Sequence, residues 1–177
     1  MTAPHLPDHL IFRPGRDTDG AGMSALIAQI FADYENCPFV PEEFPELAAP
    51  ATHYGQKKRG QLWVIEDTQT DAAPHILGSI AITPTFKPGV AELFKVYLSH
   101  DLRGRGIAAT LLNEALEWAQ ASGSHTVVLW TDTRFLAGHR FYGKHGFVRM
   151  PGIRALHDAA STFEFGYTLS LSNPVHP

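Results

Sequence analysis

One cysteine, Cys37, stands in a chain of 177 residues, so no disulfide can form within it. A lone thiol of this kind usually acts as a small apolar filler rather than a nucleophile. That usage suits a reducing compartment and sets the expectation of a cytoplasmic protein. Long apolar runs are also missing: none approaches the ~18 residues that span a bilayer, so no membrane segment is expected. The opening Met1-Thr-Ala-Pro-His5 lacks the charged and apolar regions of a secretion signal. Positive charge is scarce too. Fourteen Lys and Arg against 18 Asp and Glu give a net charge of −4, which excludes a broad basic face for nucleic acid. No internal repeat or low-complexity tract is present, and no metal site is expected. What remains is 44 % hydrophobic and 18 % charged, enough for one sizeable core and too short for two. Residues 1–177 are therefore read as one domain, with its core at about 9–170.

The hydrophobic periodicity changes along the chain. Residues 9–13 read as a short strand closed by Pro14-Gly15. Asp17 or Asp19 then stands where it can cap a helix to about Tyr34, with Met23, Leu26, Ile27 and Ile30 at helical spacing. Four prolines between 38 and 50 break the next stretch and leave room for a short helix around Glu42–Ala49. Leu62–Glu66, Ile76–Thr83 and Val90–Leu98 read as strands joined by the turn-rich Thr68–Pro74 and Pro84–Gly89, an antiparallel meander. A helix from about Arg105 to Ser122 follows, ended by Gly123, and then a strand Thr126–Trp130. Asp132 or Thr133 would cap a helix from Arg134 to His145, with Gly146 in the left-handed position after it and Phe147 as its apolar contact. Strands around Phe147–Met150 and Phe163–Leu169 finish the pattern. The fold class is α/β (α+β), a mixed central sheet of six to seven strands flanked by about four helices. The strand–helix–strand unit over 90–130 is expected to be parallel and right-handed.

The chemistry concentrates in Ser99-His-Asp-Leu-Arg103-Gly104-Arg105-Gly106-Ile107-Ala108, where a strand ends and a helix begins. Glycines let backbone N–H groups converge and a ligand come close. A helix N-terminus adds unpaired donors and partial positive charge, and Arg103 and Arg105 add full charges in an otherwise acidic protein. This reads as a diphosphate cradle. Gly104-x-Gly106-x-x-Ala109 also fits a dinucleotide fingerprint, with Asp132 after the next strand. Against that rival, five residues separate the strand from the first glycine, and only 45 residues follow Asp132, too few for the rest of a doubly wound sheet.

The segment resembles the coenzyme A signature of the GCN5-related N-acetyltransferase (GNAT) superfamily: Gln or Arg, two variable residues, Gly, one variable, then Gly or Ala. Arg103, Gly106 and Ala108 fill its fixed positions. Phe141-Tyr142-Gly-Lys-His-Gly146-Phe147 is similar to the family's second hallmark, and Glu92-Leu-Phe-Lys-Val96-Tyr97-Leu98 to its central strand. The likeness is strong over about residues 90–148. One position departs from it. Where members often carry an Asn that binds the pantetheine arm, this chain has Phe135.

The resemblance implies a GNAT-type sheet and an N-acetyltransferase, moving the acetyl group of acetyl-CoA to a primary amine of a small molecule (or a peptide N-terminus) by direct attack in a ternary complex. The alternative is a non-catalytic acyl-CoA-binding sensor or partner protein. Acetyl-CoA is the implied cosubstrate, held by Arg103, Gly104, Arg105, Gly106, Ile107 and Ala108. The resemblance gives Val96 the backbone N–H for the acyl oxygen and Leu98 the pairing with the pantetheine arm. Tyr142 is the implied proton donor, a role suited to a phenol facing a leaving thiolate. The base stays open between Glu92, His139 and His145. Glu92 lies at even spacing from Val96, which on a regular strand puts both on one face. Similar domains often dimerise, but no exposed apolar stripe marks such an interface here. Residues 36–60 are expected to select the amine, with Glu35, Glu42, Glu43 and Glu46 as acids and Phe39, Phe44 and Tyr54 as an apolar wall.

Overall fold

A computed structural model describes residues 6–69 and 75–171. Met1–His5 and most of the expected Thr68–Pro74 turn lie outside the described residues. Eight strands form the sheet: β1 (Leu10–Pro14), β2 (Gln61–Asp67), β3 (His75–Pro84), β4 (Val90–Leu98), β5 (Thr126–Asp132), β6 (Val148–Arg149), β7 (Arg154–Ala155) and β8 (Phe163–Ser170). Their order is β1-β2-β3-β4-β5-β8-β6, and β7 also pairs with β8. Only β4 and β5 run parallel, as the intervening crossover requires, and the other pairs are antiparallel. The helices are α1 (Gly20–Phe31), α2 (Ile107–Ala121) and α3 (Leu136–Lys144), with a π-helical turn at Thr52–Lys57.

Strand alternation sorts the core into two. Ile80 and Ile82 of β3 pack with Leu93, Leu111, Leu112 and Val127 on the α2 side. Ala81 between them joins Met23, Ile27, Ile30, Val64 and Ile76 on the α1 side. Each such fully buried aliphatic side chain stabilises the fold by about 1.5–3 kcal/mol, so the sheet is a rigid floor with a helix on each face.

Where element ends differ from expectation, named side chains cause it. α1 starts at Gly20 and stops at Phe31, and neither Asp17 nor Asp19 caps it through its side chain. Asp19 is fully buried and receives both Arg13 guanidinium nitrogens at 2.8 Å and the Arg16 N–H at 2.7 Å. Removing one partner from such a pair costs about 3–5 kcal/mol. Asp17 instead accepts the backbone N–H and hydroxyl of Thr52, tying the start of α1 to the proline-rich stretch. Gly20 makes that approach possible, because a Cβ there would lie 1.9 Å from the Leu47 carbonyl oxygen. The stretch itself forms two 3₁₀ turns, Pro41–Glu43 and Pro45–Ala48, and the π-helical turn, in place of one short helix. Prolines at the first position of each 3₁₀ turn supply the fixed φ and deny the preceding turn a donor. α2 starts at Ile107, two residues later than expected, and Gly123 ends it with φ +81°. α3 starts at Leu136 because the Asp132 carboxylate accepts the Arg134 N–H at 2.8 Å and holds that residue outside the helix. The strand beyond the expected seven is β7, two residues long and too short to show a period.

Candidate active site

Two features of β4 make the site. Its parallel pairing with β5 runs from Val90–Thr126 to Leu93–Leu129 and stops there, although β5 continues to Asp132 and β4 to Leu98. Past Leu93 the two strands part. On its other side β4 pairs Phe94 with Ala81 but Tyr97 with Ser79, so Lys95 and Val96 together face the single residue Ile80. This is a β-bulge, and Lys95 takes φ +52° in it, its carbonyl held by the Ser79 hydroxyl at 2.7 Å. The extra residue reverses the alternation. Glu92, Phe94 and Tyr97, opposite Thr83, Ala81 and Ser79, share the α1 face. Val96 and Leu98 pack with the α2-side core. The expectation that Glu92 and Val96 share a face is thus corrected: even spacing holds only on an unbulged strand.

Two cavities open at the parting. One, of about 400 Å³, is lined by Val96, Leu98, Arg103, Gly104, Gly106, Ile107, Ala108, Tyr142 and, at the end of α3 and just past it, Lys144 and His145. At its mouth Gly104 and Gly106 have φ of +73° and +78°, a conformation that favours glycine. Regular backbone bonding resumes only at Ala109, whose N–H donates to the Gly106 carbonyl at 3.0 Å. The first N–H groups of α2 lack intrahelical partners by geometry, so the donors from Gly104 to Ala108 are available to a diphosphate, and the apolar body behind them suits an alkyl arm. The donor set fits acetyl-CoA. Arg105 is exposed and does not line this cavity, and Arg103 turns its Nε to the Leu98 carbonyl at 3.3 Å.

The second cavity, of about 290 Å³, lies where β4, β5, β8 and the segments around 37–44 and 154–164 meet, and Glu92 lines it. Val96, Tyr97, Thr131, Phe135 and Tyr142 line both cavities. Tyr142 is 6 % exposed, and its hydroxyl takes part in none of the hydrogen bonds among the described residues. Burial, with Tyr167 nearby, pushes that hydroxyl well above the usual phenol range, so it keeps its proton at neutral pH. Burial likewise raises the Glu92 carboxyl, with Arg154 and Lys58 pulling the other way.

The other candidates separate clearly. His139 bonds the Asp132 carbonyl through Nε2 at 2.9 Å and packs on Phe165, lining neither cavity. His145 lines the larger cavity, with Nδ1 on the Phe141 carbonyl at 2.8 Å. Of the four acids, Glu43 lines the smaller cavity, Glu46 is taken by Lys95 at 2.5 Å, and Glu35 and Glu42 are exposed away from it. Phe44 lines it, Phe39 stacks behind Phe44 at 5.1 Å, and Tyr54 is buried against Phe94 in the α1-side core.

Phe135 packs on Tyr34 at 4.7 Å and on Phe31 at 5.6 Å between ring centroids, which places an aromatic wall where the family often has Asn. Sequence reasoning gave no site role to Tyr97, Thr131, Arg134, Arg154 or Glu164. All five line the smaller cavity, and no local motif marks the last four. Among the described residues, no group of three or more His, Cys, Asp or Glu could hold a metal ion, and no helix is long and apolar enough to cross a membrane.

A mixed sheet parted between its two parallel strands, with a glycine-lined helix N-terminus at the parting, is the arrangement that the resemblance to the GNAT superfamily implies. The family model for the GNAT family of acetyltransferases matches residues 27–147, and the chain belongs to that family. It is 38 % identical over 61 residues to the uncharacterized N-acetyltransferase MJ1207 of Methanocaldococcus jannaschii, covering 34 % of this chain and 27 % of that one. It is 30 % identical over 102 residues to the uncharacterized N-acetyltransferase C1271.07c of Schizosaccharomyces pombe, covering 58 % and 60 %. The chain thus spans less than two thirds of the length of these relatives. Its fold matches a GNAT-family acetyltransferase of Staphylococcus aureus Mu50, with TM-score 0.75, 16 % identity and coverage of 92 % and 99 %. It also matches YncA of Salmonella typhimurium, whose structure holds its cofactor acetyl-CoA, with TM-score 0.67, 16 % identity and coverage of 96 % and 98 %.

Proposed function

We propose that this chain transfers an acetyl group from acetyl-CoA to the primary amine of a small molecule, one domain carrying both binding cavities. The observation that carries this reading is the meeting of the two cavities at Val96, Tyr97, Thr131, Phe135 and Tyr142. A donor in the larger cavity and an amine in the smaller one would come together there, which removes most of the entropic cost of a bimolecular encounter.

Acetyl-CoA, when bound, supplies an activated thioester. The chain's own residues do the rest. Backbone N–H groups from Gly104 to Ala108 hold the diphosphate at the helix N-terminus, with Arg103 adding charge at the mouth. Val96, beyond the last β4–β5 pair, offers its backbone N–H to the acyl oxygen, a fixed dipole that needs no reorganisation. Glu92 receives a proton from the incoming ammonium, directly or through water; its raised pKa brings it closer to the operating pH and makes it a better base there. Tyr142 delivers its phenolic proton to the departing sulfur and is reprotonated by the nitrogen's second proton, lost as the amide forms.

Thermal melting with acetyl-CoA, run beside thiol release over a panel of primary amines, tests the reading. A ligand at about 100 times its dissociation constant adds about 2.7 kcal/mol. Both a raised Tm and amine-dependent thiol release are expected. A raised Tm without release from any amine would make the chain an acyl-CoA-binding sensor, and no change in Tm would remove coenzyme A from the account.

A further inference from the structure

The charges around the smaller cavity are already spent on one another. Three cations line it, and each has its own anion. Lys95 holds Glu46 at 2.5 Å while lying over the Phe44 ring at 4.5 Å. Arg134 clasps Asp132 at 2.6 Å and also donates to the Thr162 hydroxyl and the Asn36 carbonyl. Arg154 holds Glu164 at 2.5 Å and stacks on Trp130. Among the anions lining it, Asp132 and Glu164 belong to these pairs. Asp158 accepts the Thr162 N–H at 2.7 Å, and Glu43 accepts the Ala159 N–H at 2.6 Å. Glu92 alone enters no ion pair or hydrogen bond among the described residues. The rest of the wall is largely apolar and partly aromatic: Phe31 packs edge-on against Phe44 and Tyr97 at 6.0 and 6.2 Å, and Phe135 closes the side toward the coenzyme cavity.

We infer that the acceptor is an apolar monoamine, alkyl or arylalkyl, that carries no carboxylate or phosphate. The inference rests on the acetyltransferase reading and adds the acceptor's chemical class. A cavity in which, among its described carboxylates and cations, the one without an ion pair or hydrogen bond is the Glu92 carboxyl recognises an ammonium. A substrate anion would find no unpaired cation and would lose its hydration without compensation. The aromatic wall takes the apolar remainder and can face the ammonium itself. The same contacts speak against a polypeptide acceptor. The two segments that line the cavity are bonded to each other, Glu43 to Ala159 and Asn36 to Thr162 through Arg134, which obstructs the path a chain beyond its first residue would take.

Calorimetry on the full chain saturated with coenzyme A tests this without turnover, using three probes: 2-phenylethylamine, free phenylalanine and a tripeptide starting with Phe. The amine is expected to bind at least about tenfold more tightly than phenylalanine, because the added carboxylate goes unpaired. Equal or tighter binding of phenylalanine or of the tripeptide overturns the inference. So does failure of all three to bind while coenzyme A itself binds. Failure of coenzyme A to bind is the separate outcome that removes the acetyltransferase reading beneath it. Glu164→Gln gives a second check by releasing the Arg154 guanidinium. Phenylalanine binding is expected to improve in that variant by about tenfold, and no improvement means that the ion pairs do not set the preference.

Discussion

The two cavities that meet at Tyr142 are built from opposite materials. The larger is made mainly of backbone and apolar surface: left-handed glycines, the first turn of α2 and the parted edge of β4, with Ile30 and Tyr34 the lining residues from outside 96–145. The smaller is made of side chains, drawn from the loop after α1, from β4, β5 and β8, and from the 154–162 segment. A backbone cradle serves a ligand that never changes and has little for point substitution to alter. A side-chain box can be retuned residue by residue. On the proposed reading, the division places specificity in the part that substitution can change while the donor half stays fixed.

The contrast can be broken or sharpened by substitution, starting with the residue that belongs to both halves. Tyr142→Phe is expected to lower kcat by about 10³-fold while leaving acetyl-CoA affinity unchanged by calorimetry; a matching loss of affinity would make the ring a packing element only. Glu92→Gln lowers kcat/KM by about 10²-fold at neutral pH. In the native chain the rate falls as pH drops, because Glu92 becomes protonated as pH falls through its raised pKa. A pH–rate profile of the Gln variant should lack that limb, and its survival would assign the limb to another group. Gly106→Val forces a β-branched residue to φ +78°, and acetyl-CoA affinity should fall by about 10- to 100-fold with kcat at saturation retained. Arg134→Met cuts the bonds joining the acceptor segments, so KM for the amine should rise about tenfold while acetyl-CoA affinity holds. A loss of coenzyme binding in that variant would show that the halves are not separable. Arg103→Ala, at an exposed position, is expected to weaken acetyl-CoA by only about threefold, an effect that shrinks as salt rises.

The same division decides how much could be read in the sequence. The meander, the parallel crossover and the glycine-ended α2 follow from local spacing, and the structure has them. The candidate cradle could be read because Arg103 to Ala108 is one continuous segment whose proposed role lies in its backbone. The acceptor box was not, since Arg134 joins Asn36, Asp132 and Thr162 across 98 and 28 residues of sequence, and nothing local announces such a meeting. Asp19 shows the opposite failure. Its position before a helical run invites a cap, yet Arg13, six residues earlier on β1, claims the side chain, and that pairing overrode the capping signal. Phe135 is intermediate: its departure from the family pattern is plain in the sequence, but only the contacts with Phe31 and Tyr34 give it work to do.

The bulge at Lys95–Val96 carries a consequence for how this chain can change. One inserted residue shifts the phase of everything after it on β4, so Tyr97 serves the amine side and Leu98 the coenzyme side. Replacing a letter in that strand alters one wall of one chamber. Flattening the bulge with every residue kept would carry Tyr97 across the sheet, whereas removing Lys95 would restore regular alternation with Tyr97 still on the α1 face. Substitution can therefore diversify the proposed acceptor wall step by step, whereas the bulge itself is what keeps Tyr97 on the α1 face and Leu98 on the α2 face.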